Sequence, residues 1–416
     1  MGDSIREVLT VAPPAPALEL EDQVDAVATL SNRRGRTLLA GFTAAHFAHH
    51  VTNSLLTPLL PLIRDGFGLS YAESGLAVSA YSISLGLSNA PIGALADRIG
   101  SRPVIVVGLL LTAALSVALA AAGAYWQLLV LVVLLGLVAG SYHAPAAALI
   151  ARAFPPQVRG AAIGLHITGG HLSLFLTPLA AGLLVASTGT WRTSYLWLAV
   201  PPLLTALPIW RLAPRGEEQR RSVAGPGVLR SLIDVVRLVG PLVSLSILFQ
   251  LFYAAIQAFM ALYLVDARGL PVALAAIYTG APQLIGVLGA PIGGSLSDRL
   301  GRRAVILTGL VLLGPALFGL TIVPDVLLPL PLFGIGLASA LRQTVTEVLV
   351  MDSAPPQRRA MIMGSYYMLF QQIGGVGAPL LGVLSELFGI GASFMGVTLA
   401  LAGASMVILA GHRRLL

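Results

Sequence analysis

The sequence predicts an all-α membrane protein, with twelve transmembrane helices in two pseudo-symmetric six-helix bundles. Two observations carry that prediction. Hydrophobic residues make up 56% of the 416 positions, charged residues only 10%, and the mean hydropathy is +0.86, a balance that belongs in lipid rather than in a soluble fold. The second observation is a charged hairpin written twice, GALADRIGSRP at 93–103 and GSLSDRLGRRA at 294–304. Both read Gly-x-x-x-Asp-Arg-x-Gly-x-Arg, and Asp97 and Asp298 stand 201 residues apart. PPQVRG at 155–160 returns as PPQRRA at 355–360, an offset of 200. Two landmarks at nearly one spacing identify an internal duplication.

Twelve apolar runs follow in order, near 37–63, 71–96, 103–122, 125–152, 160–186, 193–212, 238–265, 272–297, 303–323, 326–352, 361–387 and 391–411. At about 1.5 Å of rise per residue, each can cross a hydrocarbon core of about 30 Å, the longer ones with tilt. The expected organisation is a disordered tail over 1–36, an N-terminal bundle over 37–212, a linker over 213–237, a C-terminal bundle over 238–412 and a short tail over 413–416. Within the linker, PRGEEQRRSVAGPG is polar and rich in helix breakers. From Pro226, Leu229, Leu232, Ile233 and Val236 fall at helical spacing opposite Arg230, Asp234 and Arg237, so a short interfacial helix is expected there.

Charge sets the orientation. All 25 basic residues besides histidine are arginine, and the formal net charge is +7. They gather in alternate loops: Arg98 and Arg102, Arg159, the group from Arg211 to Arg237, Arg299 with Arg302 and Arg303, and Arg358 with Arg359. Arg33, Arg34, Arg36, Arg413 and Arg414 fall on the same side, and the opposite loops hold only Arg64, Arg192 and Arg268. The positive-inside rule then places both termini in the cytoplasm, in a multi-pass protein of the cytoplasmic (inner) membrane. Arginines so placed are topological, and nucleic acid is not an expected partner. No secretory signal is expected, because the first apolar run is too long for one. Without cysteine the chain has no disulfide or thiolate metal site. Without lysine it has no ATP-driven P-loop, and no Ser-His-Asp arrangement is evident, so an enzyme is not expected.

The two hairpins carry a chemistry of their own. Gly93 and Gly294 allow another helix to approach closely. Asp97 and Asp298 end their helices where a carboxylate can face a neighbouring helix N-terminus and nearby arginines. With Arg98, Gly100, Arg102, Arg299, Gly301 and Arg302, these residues form a candidate gating motif whose contacts hold in one conformation and break in the other. Both copies resemble the signature loop of the major facilitator superfamily, which joins the second and third helices and recurs between the eighth and ninth. The resemblance covers 37–412. It implies the major facilitator fold, with inverted three-helix repeats in each bundle, a central site at the midplane and alternating access.

Polar residues inside the membrane mark the candidate site. His46, His49, His50 and Asn53 follow i, i+3, i+4, i+7 and share one face of the first helix. His143 lies on the fourth helix, and His166 and His171 on the fifth, about 140° apart around it, so both need not line one cavity. The second half answers with Arg342, Gln343 and Glu347 on the tenth helix, Gln250, Tyr253 and Gln257 on the seventh, and Tyr366, Gln371 and Gln372 on the eleventh. Of these, His49, His50, Asn53, His143, His171, Gln250, Tyr253, Gln257, Arg342, Gln343, Tyr366 and Gln371 are the candidate substrate-binding set, and Glu347 is the candidate proton carrier. His46 and His166 are weighed against interhelical hydrogen bonding, and Arg342 with Glu347 against a structural ion pair. The basic lining favours an anion, which an arginine can grip through two parallel hydrogen bonds. The competing expectation has Glu347 neutralise Arg342 and leave a cavity for lipophilic cations. No acid accompanies the histidines of the first half, so no metal and no cofactor is expected.

Within the superfamily, HFAHHVTNSLLTPLLPLIRDGFGLS at 46–70, GSYHAPAAALIARAFPPQVRG at 140–160 and GLHITGGHLSLFLTPLAAGLL at 164–184 look like fosmidomycin-resistance-type exporters. That resemblance implies efflux of small, often anionic, drugs in exchange for protons. Two departures stand beside it: the fourth helix lacks the arginine, and the fifth the Gly-Pro pair, of the common drug-proton antiporter pattern. The expected function is therefore proton-coupled efflux of a small organic molecule by a monomer in the lipid bilayer. Proton-coupled uptake of a metabolite anion, or a non-transporting substrate sensor, are the alternatives.

Overall fold

The computed structural model describes residues 32–214, 228–354 and 359–415, and these are helical almost throughout, with no strand among them. The first half contains α1 (Arg33–Asn53), α2 (Leu56–Phe67), α3 (Tyr71–Ile99), α4 (Ser101–Ala121), α5 (Tyr125–Ala139), α6 (His143–Ala153), α7 (Pro156–Thr188), α8 (Trp191–Trp197) and α9 (Val200–Leu212). The second contains α10 (Val228–Asp266), α11 (Val272–Leu300), α12 (Arg302–Ile322), α13 (Pro329–Ser353), α14 (Arg359–Phe388) and α15 (Ile390–Leu415). Each predicted apolar run is occupied by one helix or by two consecutive ones. Among the described residues eight helices are long and apolar enough to cross a membrane, or nine with the pair bent by 49° within α11. The runs near 37–63, 71–96 and 361–387 fall short of that test. The first two carry histidines, asparagines and serines that dilute their apolar content.

Most of the linker and of the N-terminal tail lies outside the described residues. The expected interfacial helix does not appear as a separate element. The backbone continues as one helix from Val228 to Asp266, without the break a separate surface helix would need near Arg237.

Local chemistry explains where helices begin and break. The Asn32 side chain caps α1 by accepting from the Gly35 amide at 2.7 Å. Ser70 and Glu73 close a capping box at the start of α3. The first run divides after Asn53 because side chains take the carbonyls at its end. Asn53 Nδ2 donates to His49 O at 2.6 Å and Ser54 Oγ to His50 O at 2.8 Å. Gly100 and Gly301 turn the two hairpins at φ 93° and 90°, a conformation open to glycine and costly to other residues.

The duplication reappears as packing. The pairs α1 with α7, α3 with α5, and α4 with α9 in the first half match α10 with α14, α11 with α13, and α12 with α15 in the second. The halves meet along α3 against α14 and α7 against α11. A side chain at Gly75 would strike the Ala378 carbonyl, and one at Gly382 the Tyr71 carbonyl, so glycine lets the two backbones touch.

Contacts between the halves run from the end opposite the hairpins toward the middle. Arg64 of α2 bonds Asp266 of α10, Tyr71 Oη donates to Asp266 at 2.7 Å, and the Ala72 amide donates to Glu386 at 2.8 Å. At the hairpin end no hydrogen bond or ion pair joins the halves among the described residues. Among the described residues, the Arg64, Tyr71 and Ala72 bonds across the seam lie at the far end.

Candidate functional site

The histidines of the first half come together. His46 and His50 lie one turn apart on α1, with ring centroids 5.0 Å apart, and His143 stands 5.3 Å from each. His49 is 5.0 Å from His50 and from His143. His143 is placed by a break: the fourth run loosens at residues 140–142 and restarts with His143 as the first residue of α6. Pro145 in that first turn gives up only an amide that has no helical partner there.

His166, weighed against interhelical hydrogen bonding, makes such a bond, and so does His46. His46 Nδ1 donates to the His166 carbonyl at 3.0 Å, and His166 Nδ1 donates to the Phe42 carbonyl at 3.1 Å. Carbonyl oxygens only accept, so both protons sit on Nδ1. The two rings stack at 4.3 Å, and Tyr142 lies parallel to both, 5.3 Å from His46 and 5.8 Å from His166, while Tyr142 Oη donates to Phe42 O at 3.0 Å. A side chain at Gly170 would overlap the His46 ring, so glycine there seats the imidazole against α7. His171 does stand apart, in contact with none of these rings. It is half-buried toward α11, with Nδ1 buried and unpartnered among the described residues.

In the second half, Arg342 occupies the position that Tyr142 holds in the first, and each reaches across to the bundle's leading helix. Arg342 is fully buried. Its Nη1 donates to Ser246 O at 3.0 Å and Ser246 Oγ at 3.1 Å, and its Nη2 donates to Gln250 Oε1 at 2.7 Å. Tyr253 and Phe370 flank the guanidinium at 6.0 and 5.8 Å. Among the described residues no carboxylate pairs with it; Nε has no partner. The structural ion pair weighed for Arg342 and Glu347 shows no direct contact here: the guanidinium turns to α10 while Glu347 accepts a long 3.4 Å bond from Gln343. Gln257 donates to Tyr253 Oη at 2.7 Å. Tyr366 is buried against Phe370. Asn53 is half-buried, and the side chains of Gln371 and Gln372 lie outside the described residues.

The hairpins differ from expectation. Gly93 and Gly294 have nothing within 4 Å of where a side chain would stand, so no described helix packs closely against them here. Asp298 pairs with Arg302 at 2.7 Å, and Arg302 reaches Asp352 at 3.2 Å, all within the second half. Asp97 is exposed, with no partner among the described residues. Arg102 instead lies over the Trp210 ring at 4.1 Å. Arg98 and Arg299 are exposed. Sequence reasoning left His46, His166 and Tyr142 outside the binding set; the i, i+4 spacing of His46 and His50 was the available signal.

A family model described as Major Facilitator Superfamily matches residues 42–379. The fosmidomycin resistance protein of Escherichia coli (strain K12) is 24% identical over 379 residues, covering 89% of this chain and 92% of that protein. The multidrug resistance protein MdtG of Enterobacter lignolyticus (strain SCF1) is 29% identical over 344 residues, 79% of this chain and 81% of that one. The hexuronate transporter of Bacillus subtilis (strain 168) is 26% identical over 284 residues, 65% and 67% of the two chains. In fold, the chain is similar to a bacterial homolog of the human lysosomal transporter Spinster in an inward-facing and unoccupied conformation. The TM-score is 0.74 at 18% identity, over 91% of this chain and 95% of that one. The nucleoside transporter NupG also gives a TM-score of 0.74, at 16% identity over 89% and 99%. With its repeated hairpins, matched bundle packing and a family model spanning most of its length, this chain belongs to the major facilitator superfamily, as a multi-pass membrane transporter and not an enzyme.

Proposed function

We propose that the protein exports a small organic anion across the cytoplasmic membrane in exchange for protons, by alternating access, with both termini in the cytoplasm. The observation that carries the anion is Arg342: a buried guanidinium with no carboxylate in direct contact among the described residues is costly in a low-dielectric core. A ligand carboxylate or phosphonate entering from the cavity offsets that cost. The imidazoles opposite supply further donors. Relatives named for fosmidomycin and multidrug resistance support export. With the hairpins in the cytoplasm, a seam closed at the far end is the inward-open state, in which an exporter loads.

Glu347 serves as the proton carrier in this reading. It stands one turn beyond Gln343, close enough to Arg342 for its protonation to alter the field at the guanidinium. Flux of matched anionic, neutral and cationic compounds in proteoliposomes under an imposed pH gradient tests the proposal. Anion efflux driven by inward proton movement is expected, and Glu347→Gln should abolish concentrative transport while sparing exchange. Cation preference in the unaltered protein, or concentrative transport by Glu347→Gln, would refute the corresponding step. The hexuronate relative favours one alternative, uptake of a sugar acid by symport, and the direction of gradient that drives flux separates the two.

A further inference from the structure

We infer that His46, His50 and His143 form a binding site for a late first-row divalent metal ion of the zinc, cobalt and nickel class. One ring nitrogen from each lies within 4.8 Å of the other two. Tetrahedral ligation at about 2.0–2.1 Å sets ligand nitrogens roughly 3.4 Å apart, so side-chain rotation has at most about 1.4 Å to close.

The tautomers and surroundings favour ligation over a hydrogen-bonded structural cluster. Because His46 Nδ1 donates to the His166 carbonyl, Nε2 carries the lone pair, and that atom is buried with no partner among the described residues. An imidazole that gives one N–H to a backbone carbonyl and aims the other nitrogen at a shared point has the outer-shell arrangement of a metal ligand. Contacts with His166 and Tyr142, both near-parallel to it, hold the plane of that ring before any ion arrives. The rings of His50 and His143 have no hydrogen bond among the described residues. One nitrogen of each ring converges on the other two, and His46 Nε2 is buried without a partner among the described residues. All-imidazole donors suit zinc, cobalt, nickel or copper, whereas magnesium and calcium require oxygen. Three neutral ligands leave the ion its full charge and an open coordination position, where an anion can bind. His143 is the exposed member of the cluster.

This inference goes beyond the transport reading and does not rest on it, since equilibrium binding needs no gradient. The test is titration of the purified full-length protein, carrying an affinity tag without histidine, with Co²⁺ followed by its visible absorption and with Zn²⁺ by calorimetry. One ion per chain is expected. His50→Gln and His143→Gln should each weaken binding at least tenfold with helicity unchanged, and His50→Asp, which restores a ligand atom, should recover most of it. In the unaltered protein Zn²⁺ should protect His50 and His143 from diethylpyrocarbonate, a readout that needs no variant to fold. Absence of saturable binding, binding that both glutamine variants retain, or modification of the two histidines at the same rate with and without Zn²⁺ would each overturn the site.

Discussion

Arg64 at the end of α2 and Asp266 at the end of α10 are paired across the seam between the two halves, 202 residues apart. That separation is almost the period of the internal duplication, so the partners occupy equivalent places in the two repeats and the pair sits at the molecule's pseudo-twofold axis. Tyr71 donates to the same carboxylate.

This pair should act as the latch of the far end. Arg64→Ala and Asp266→Ala are each expected to weaken closure by about 1 kcal/mol, roughly fivefold in population. The chain lacks cysteine, so Ser74→Cys, fully buried beside the seam, gives a clean readout of thiol labelling. Labelling should quicken in either single variant and return toward its starting rate in the charge-reversed pair Arg64→Asp with Asp266→Arg. Unchanged labelling in all three would remove the latch.

A second far-end contact should make closure depend on pH. The Ala72 amide donates to the Glu386 carboxylate at 2.8 Å, a bond that the ionised acid makes more strongly than the protonated one, so it favours the closed state for as long as the carboxylate is ionised. Closure should therefore be level at neutral pH and weaken only at strongly acid pH. Glu386→Gln should flatten that acid limb in the same Ser74→Cys assay; a limb that survives the substitution assigns it to another group.

Asp97 belongs to the opposite gate, and in this conformation it has no described partner. Asp97→Asn is accordingly expected to change thermal stability by less than about 0.5 kcal/mol while lowering turnover. A loss of stability as large as that of a buried substitution would mean that Asp97 is already engaged here. Full transport by Asp97→Asn with Asp298→Asn would remove the gating role.

Arg342 should separate charge from shape. Arg342→Lys retains the charge but not the fork that serves Ser246 and Gln250, and it should weaken anion binding about tenfold. Arg342→Ala should weaken it further and, by leaving Gln250 without its partner, cost about 1–3 kcal/mol of stability. Neutral ligands should bind the lysine variant as they bind the original. Equal losses for anionic and neutral ligands would make Arg342 a packing residue alone.

Much of the fold was legible because lipid imposes it: apolar runs long enough to span must be helical, and a period of about 200 residues announces two like halves. The residue types of the site were legible too, since polar groups at depth are costly and stand out. Their associations were not. Nothing in the spacing of Arg342 and Glu347 says that the guanidinium turns to Ser246 and Gln250, because that depends on how α13 rotates against α10. The gathering of His46, His50 and His143 required a helix break at 140–142 and the close seat of α7 at Gly170. Which gate is closed was also beyond the sequence. It is decided by rigid-body packing of two halves, through pairs such as Arg64 with Asp266 that lie far apart in the chain and meet only when the bundles do.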